Sequence, residues 1–174
     1  MPEAAAMREM SFVDPASDPW REVPADDRVV AAPRVERHRL LSPVQWQAVK
    51  GAWPADVPIG LVLPNDADVE TVADDVSRFA MIALRFPKWV DGRAYSQARL
   101  LRARLRYRGE IRATGEVLAD MLPLLERTGF DAVALRPDQS QAVAERALAF
   151  FPNGHYQADV NEPRPLFARA GRAP

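Results

Sequence analysis

Phe79-Ala80-Met81-Ile82-Ala83-Leu84, followed by Phe86-Pro87-Lys88-Trp89-Val90-Asp91-Gly92-Arg93-Ala94-Tyr95-Ser96, reads as a buried strand that hands over to a helix through a short aromatic, glycine and charge motif. An unbroken apolar run of this length is what a strand covered on both faces requires. Downstream, Gly109-Glu110-Ile111-Arg112-Ala113-Thr114-Gly115-Glu116-Val117 repeats the theme as a second strand entering a second helix. Upstream, Ile59-Gly60-Leu61-Val62-Leu63 is a strand ended by Pro64-Asn65-Asp66, and a helix follows from about Asp68 to Ser77.

The same alternation continues. A helix from Arg93 to Arg106 places Ala94, Ala98, Leu101 and Leu105 on one face and leaves Arg99, Arg102 and Arg106 on another. A strand at Glu110 to Ala113 precedes a helix from Glu116 to Arg127, in which Pro123 predicts a kink and Gly129 a left-handed cap. A strand at Asp131 to Leu135 precedes a helix from Asp138 to Phe150. His155-Tyr156-Gln157-Ala158 reads as a last short strand, with a fraying end from Pro163.

Towards the N-terminus the signal is weaker. Val29-Val30-Ala31-Ala32 and the stretch from Val35 to Leu41 are short β-like runs, and Ser42 caps a helix that starts at Pro43 and stops near Gly51. Residues 1–28 are acidic and proline-rich, which predicts a disordered or loosely draped tail, pinned if at all by Phe12 or Trp20. The expected organisation is therefore a tail (1–28), one α/β domain (29–160, with 29–58 as an adaptor and 59–160 as β/α repeats) and a C-terminal tail (161–174).

Strands alternating with single helices imply a parallel sheet, here of four to five strands. Two architectures satisfy the pattern, an open three-layer sheet or half of a β/α barrel. In both, the loops that follow the strands share one edge of the sheet. Asn65, Asp66, Trp89, Asp91, Gly92, Arg93, Thr114, Gly115, Glu116, Arg136 and Asp138 should converge there. Trp89, Asp91, Gly92, Arg93, Ser96, Gly115 and Arg136 are the expected ligand-contacting set. Asp91, Arg93 and Glu116 are the candidates for chemistry, with Arg93 as an anion clamp and a carboxylate as acid or base. The plainer roles are an N-cap for Asp91, a turn for Gly92, a first-turn hydrogen bond for Ser96 and a core-edge cover for Trp89.

Charge is balanced overall, at 23 basic against 24 acidic residues in a chain of 174, so nothing global points to nucleic acid or a membrane surface. Its distribution is uneven: residues 1–28 carry seven acidic against three basic residues, and residues 85–113 nine basic against two acidic. The Arg99, Arg102 and Arg106 face is thus a candidate docking surface for an acidic partner, which the acidic tail could fold over and mask. As a solvated face, it should tolerate charge reversal without loss of fold. There is no cysteine, which removes disulfides, thiol relays and thiolate-bound iron–sulfur clusters. His38 and His155 lack any metal-ligand spacing. No run approaches the length of a membrane span and no signal-peptide core is present, so a cytoplasmic location is expected. No fingerprint for a nucleotide, flavin, haem or iron–sulfur cofactor is visible.

Trp89, Asp91-Gly92-Arg93, Tyr95-Ser96, Ala98-Arg99, Leu101-Arg102, Gly109-Glu110-Ile111-Arg112-Ala113 and Gly115-Glu116-Val117, with a looser extension through Gly129-Phe130-Asp131-Ala132, resemble a bacterial domain-of-unknown-function family. Its genes lie beside those for assimilatory sulfite reductase and phosphoadenylyl-sulfate reductase, and it is sometimes labelled an oxidoreductase of sulfite reduction. The chain departs from the family pattern at Ile111 (leucine) and Glu116 (aspartate). The resemblance implies an accessory protein of sulfate and sulfite assimilation that supports sulfite reductase or its electron supply. The alternative is a small anion-binding enzyme or oxidoreductase using the loops around Asp91-Gly92-Arg93.

Overall fold

The computed structural model describes residues 9–24, 34–151, 155, 157–161, 164–165 and 168. Among these residues seven parallel strands form one sheet: β1 (Ser11–Phe12), β2 (Arg21–Glu22), β3 (Arg39–Leu41), β4 (Ile59–Leu63), β5 (Phe79–Phe86), β6 (Glu110–Gly115) and β7 (Ala132–Val133). Across the sheet they run β1-β7-β6-β5-β4-β3-β2. From β3 to β7 each strand therefore pairs with the next in sequence, as β/α repeats demand. The strand count exceeds the expected four to five because β1 and β2 come from segments with no apolar run, while β3 falls within the β-like stretch from Val35 to Leu41.

The helices settle which architecture this is. Those that follow β3 to β7 include α1 (Pro43–Val49), a 3₁₀ helix (Val69–Arg78), α2 (Arg93–Ala103), α3 (Leu122–Thr128) and α4 (Gln141–Leu148). Trp46, Val72, Ala98, Leu101, Leu122, Leu125 and Ala144 from these helices share one core with Leu41, Ile59, Leu61, Leu63, Ile82, Leu84, Phe86, Ile111, Ala113 and Val133 from the strands. Each large side chain buried this way stabilises the fold by about 1.5–3 kcal/mol. The opposite face holds a small separate cluster, Leu40, Val62, Met81 and Ala83, covered by Trp20 rather than by a helix. A sheet with its helices on one side only is a half-barrel, the second of the two expected architectures.

Several local expectations are corrected. The segment after β4 is a 3₁₀ helix that buries Val69, Val72 and Val76; its valine, threonine and aspartate residues favour the α conformation weakly. α2 stops at Ala103: Arg106 adopts a left-handed φ of 56°, and the Tyr107 N–H closes onto the Leu101 carbonyl at 2.9 Å. Pro123 does not kink a long helix, because a short 3₁₀ turn (Ala119–Met121) comes first and Pro123 lies in the opening turn of α3, where its missing N–H costs nothing. Gly129 is the left-handed cap, at φ 103°. The adaptor is itself a β/α unit, β3 and α1, with Ser42 and Gln45 forming a capping box. His155, Gln157 and Ala158 are not in a strand. Tyr156, the run Val29–Ala32 and most of the chain beyond Pro163 lie outside the described residues.

The largest correction concerns residues 9–24, expected in a loose tail. β1 pairs with β7 at one edge of the sheet and β2 with β3 at the other, so the segment between them crosses the concave face like a strap. Met10 is buried, Phe12 packs against the main core, and Trp20 lies on Gly60, where a Cβ would stand 2.9 Å from the indole. Backbone pairing and three apolar anchors offset the ordering entropy that composition alone weighs against this segment.

Candidate functional site

The strand-end edge gathers its charges into two separate groups. On the loop after β5, Asp91 accepts from Arg93 Nε (3.0 Å), from Arg93 Nη2 (2.7 Å) and from the Arg93 backbone N–H (3.3 Å). The cap residue of α2 is Gly92, so Asp91 bonds the helix N-terminus from one position earlier than expected. The Arg93 guanidinium holds the Asp91 carboxyl well below the usual carboxylate range, helped by the Arg93 backbone N–H and the Asn65 side chain. Hydrogen bonding to Asp91, with the charges of Asp91 and Asp66, raises Arg93 in turn. A carboxylate held ionised in this way is a weak base and no acid near neutrality.

The second group joins the loops after β6 and β7. Arg136 bonds Glu116 at 2.9 Å and clamps Asp138 at 2.6 and 2.7 Å. Gly115 sets Glu116: its φ of 94° is in the left-handed region, an added Cβ would fall on the Phe86 carbonyl, and that carbonyl accepts the Glu116 N–H at 2.8 Å. The Arg136 hydrogen bonds lower Asp138 to about 2. The sign follows: a depressed folded pKa adds stability that is present above the unfolded value near 3.9 and is lost as pH falls through about 2. In Arg136→Ala, carbon-detected NMR should find the Asp138 midpoint back near about 4.

Beneath the Asp91 loop lie two buried amides. Gln97 is 5% exposed on the inner face of α2 and donates through Nε2 to the Pro64 and Ala67 carbonyls, both at 2.8 Å. Asn65 is 8% exposed. Asn65 Nδ2 is aimed at the Asp91 carboxylate, and among the described residues Gln97 Oε1 is a buried acceptor with no hydrogen-bond partner at this edge. Sequence reasoning named Asn65 only as an edge residue and missed Gln97. The signal was there, because Gln97 falls on the stripe of Ala94, Ala98 and Leu101, where a polar residue needs a reason.

The remaining expected residues divide. Ser96 is exposed on the first turn of α2, and Trp89 (55% exposed) projects with Val90 (65% exposed) from the β5–α2 loop instead of covering the core edge. Arg99 is exposed on α2, and Arg106 is exposed beyond the end of the helix. Arg102 does not belong to a solvated face. It donates to the carbonyls of Gly129 (2.9 Å), Tyr107 (2.8 Å) and Gly109 (2.8 Å) and pairs with Asp131. Asp131 also accepts the Ile111 N–H at 2.8 Å. The acidic segment does reach arginines, but they lie on the concave face: Glu22 pairs with the exposed Arg85 and Asp18 with the buried Arg112.

A cavity of about 650 Å³ lies off this edge, lined in part by Met10, Phe12, Leu148 and the carboxylates Glu9, Glu126 and Glu145. Burial and the Asp159 charge push Glu126 up, so that lining is not built for an anion. Among the described residues, no group of three or more His, Asp or Glu side chains is placed to hold a metal ion, and no helix is long and apolar enough to cross a membrane.

Residues 60–167 match the model of a family described as a bacterial protein of unknown function, DUF934. The match takes in β5 to β7 and both charged groups of the strand-end edge, and it begins after the strap. No curated protein matches the chain.

Proposed function

The chain belongs to the bacterial DUF934 family of unknown function, and from that premise we propose that it is an accessory protein of sulfate and sulfite assimilation which docks onto sulfite reductase or its electron donor. One observation carries the reading: Trp89 and Val90 stand exposed together at the tip of the β5–α2 loop, within the matched region, while the neighbouring Arg93 is committed to Asp91. Exposed tryptophans beside charged rims are where interface energy concentrates. Arg93 and Arg136 already hold the carboxylates of Asp91, Glu116 and Asp138 at this edge. Support for the sulfur pathway comes from the gene neighbourhood that the family resemblance implies.

A chromosomal deletion tests the pathway. The strain should fail or slow on sulfate as sole sulfur source and recover on sulfide or cysteine; equal growth on all three would remove sulfite reduction from the reading.

The alternative of a small enzyme using this edge draws on a separate feature, Gln97 Oε1 beneath Asp91, unpartnered among the described residues. That atom suits the N–H or O–H donor of a neutral polar ligand group. Gln97→Leu, which fills the volume without the amide, should abolish any small-molecule binding seen by calorimetry at this edge.

A further inference from the structure

The concave face of the half-barrel carries two arginines whose strap-side partners are not part of the β/α repeats. Arg112 is 7% exposed in the middle of β6, opposite Ala83 on β5 and Ala132 on β7. Arg85 stands one diagonal step away on β5, opposite Thr114. The sheet itself supplies one carboxylate, Glu110, which accepts from Arg112 Nε at 2.7 Å. The others come from the strap: Asp18 accepts from Arg112 Nη1 at 2.7 Å and Glu22 from Arg85 Nη2 at 2.6 Å.

Three features make this more than a pair of fastening ion pairs. A buried guanidinium needs anionic partners, and here one of the two that Arg112 has is borne by a segment held by two strands of two residues each and by the apolar contacts of Met10, Phe12 and Trp20. Arg112 is flanked by the small side chains of Ala83 and Ala132, with the apolar cluster of Leu40, Val62 and Met81 under Trp20 beside them, so lifting the strap uncovers the guanidinium together with this apolar floor. The guanidinium fork takes any oxyanion with two oxygens on one face, and Asp18 and Glu22 already offer that chemistry.

We propose that the concave face is an oxyanion-binding site built on Arg112 and Arg85, which the strap fills with Asp18 and Glu22 when closed and vacates when a sulfate- or phosphate-like ligand binds. This site is separate from the strand-end docking edge and does not rest on the function proposed for that edge. Because the strap competes, the apparent affinity of the whole protein is the intrinsic affinity reduced by the fraction of molecules that are open. Neutralising the strap carboxylates removes the competitor without touching the arginines.

The test is calorimetry with sodium sulfate and, separately, sodium phosphate, each against chloride of matched ionic strength. Asp18→Asn/Glu22→Gln should bind one of the two at least about tenfold more tightly than the wild type, and adding Arg85→Gln should take that gain away. Which anion wins identifies the source of the ligand. Equal affinity in wild type and double variant, no binding by either, or binding indifferent to Arg85→Gln would overturn the proposal. Hydrogen exchange on the unaltered protein gives an arm free of folding defects. The Arg21 and Val23 amides, which donate to the His38 and Leu40 carbonyls, should lose protection as the anion saturates. Unchanged protection at saturation would overturn it as well.

Discussion

Replacing Arg102 with alanine should lower the unfolding free energy by about 3–5 kcal/mol, the range for stripping one partner from a largely buried charge pair. Both side chains of the Arg102–Asp131 pair are only 16% exposed. The variant takes the guanidinium away from Asp131, which also accepts the Ile111 N–H, and strips a charged donor from three carbonyls at the end of α2, the start of β6 and the cap of α3. Gly129 is moulded to this arrangement, since a Cβ there would meet the Arg102 stem. Urea unfolding checks the value, and in a chain of this size the midpoint temperature should fall on the order of 10 °C. Arg99→Ala, on the exposed side of the same helix, should stay within about 0.5 kcal/mol of the parent. Similar losses in the two variants would mean that Arg102 is as dispensable as its neighbour.

Phe86→Ala should cost about as much, 3–5 kcal/mol, through the cavity it leaves beneath the strand-end edge. Phe86 ends β5 with no exposed surface, its ring 5.1 Å from that of Tyr95 on α2 and 6.0 Å from that of Phe130 ahead of β7. Tyr95 reports on the damage. Burial, with a smaller push from the Asp120 charge, raises its hydroxyl to about 12, so the intact fold loses stability as pH climbs from the unfolded value near 10 through about 12. Water admitted to the cavity should bring that midpoint down towards 10 in an absorbance titration. A variant that unfolds normally and keeps the Tyr95 midpoint would show that the aromatic cluster does not support the edge.

What the sequence made legible follows from how each element is held. β4 to β7 rest on side chains sorted between core and surface, and that sorting is written in Ile59–Leu63 and Phe79–Leu84. β1 and β2 rest on backbone bonds to strands far along the chain, and Ser11-Phe12 or Arg21-Glu22 carry no periodic mark of such pairing. Only Phe12 and Trp20 hinted that the segment is anchored, and Met10, which is buried, gave no such sign. The helical wheel put Arg99, Arg102 and Arg106 on one face, but α2 ends before Arg106 and the long Arg102 side chain folds into the gap between α2, β6 and the α3 cap. At the candidate site, the loops converge because all strands are parallel, whereas the pairing of Arg93 with Asp91 and of Arg136 with both Glu116 and Asp138 depends on loop geometry that spacing does not encode.

The docking reading stands on Trp89 and Val90, and one measurement reaches it directly. The tagged chain and its Trp89→Ala/Val90→Ser variant would be expressed from the native locus during growth on sulfate, and what each retains would be quantified by mass spectrometry. Two exposed loop residues carry little of the fold, so the variant should remain as stable as the parent. The account predicts that the parent retains sulfite reductase or its electron donor and that the variant loses it at least about tenfold. Equal recovery by both forms, or recovery of neither protein by the parent, would contradict it.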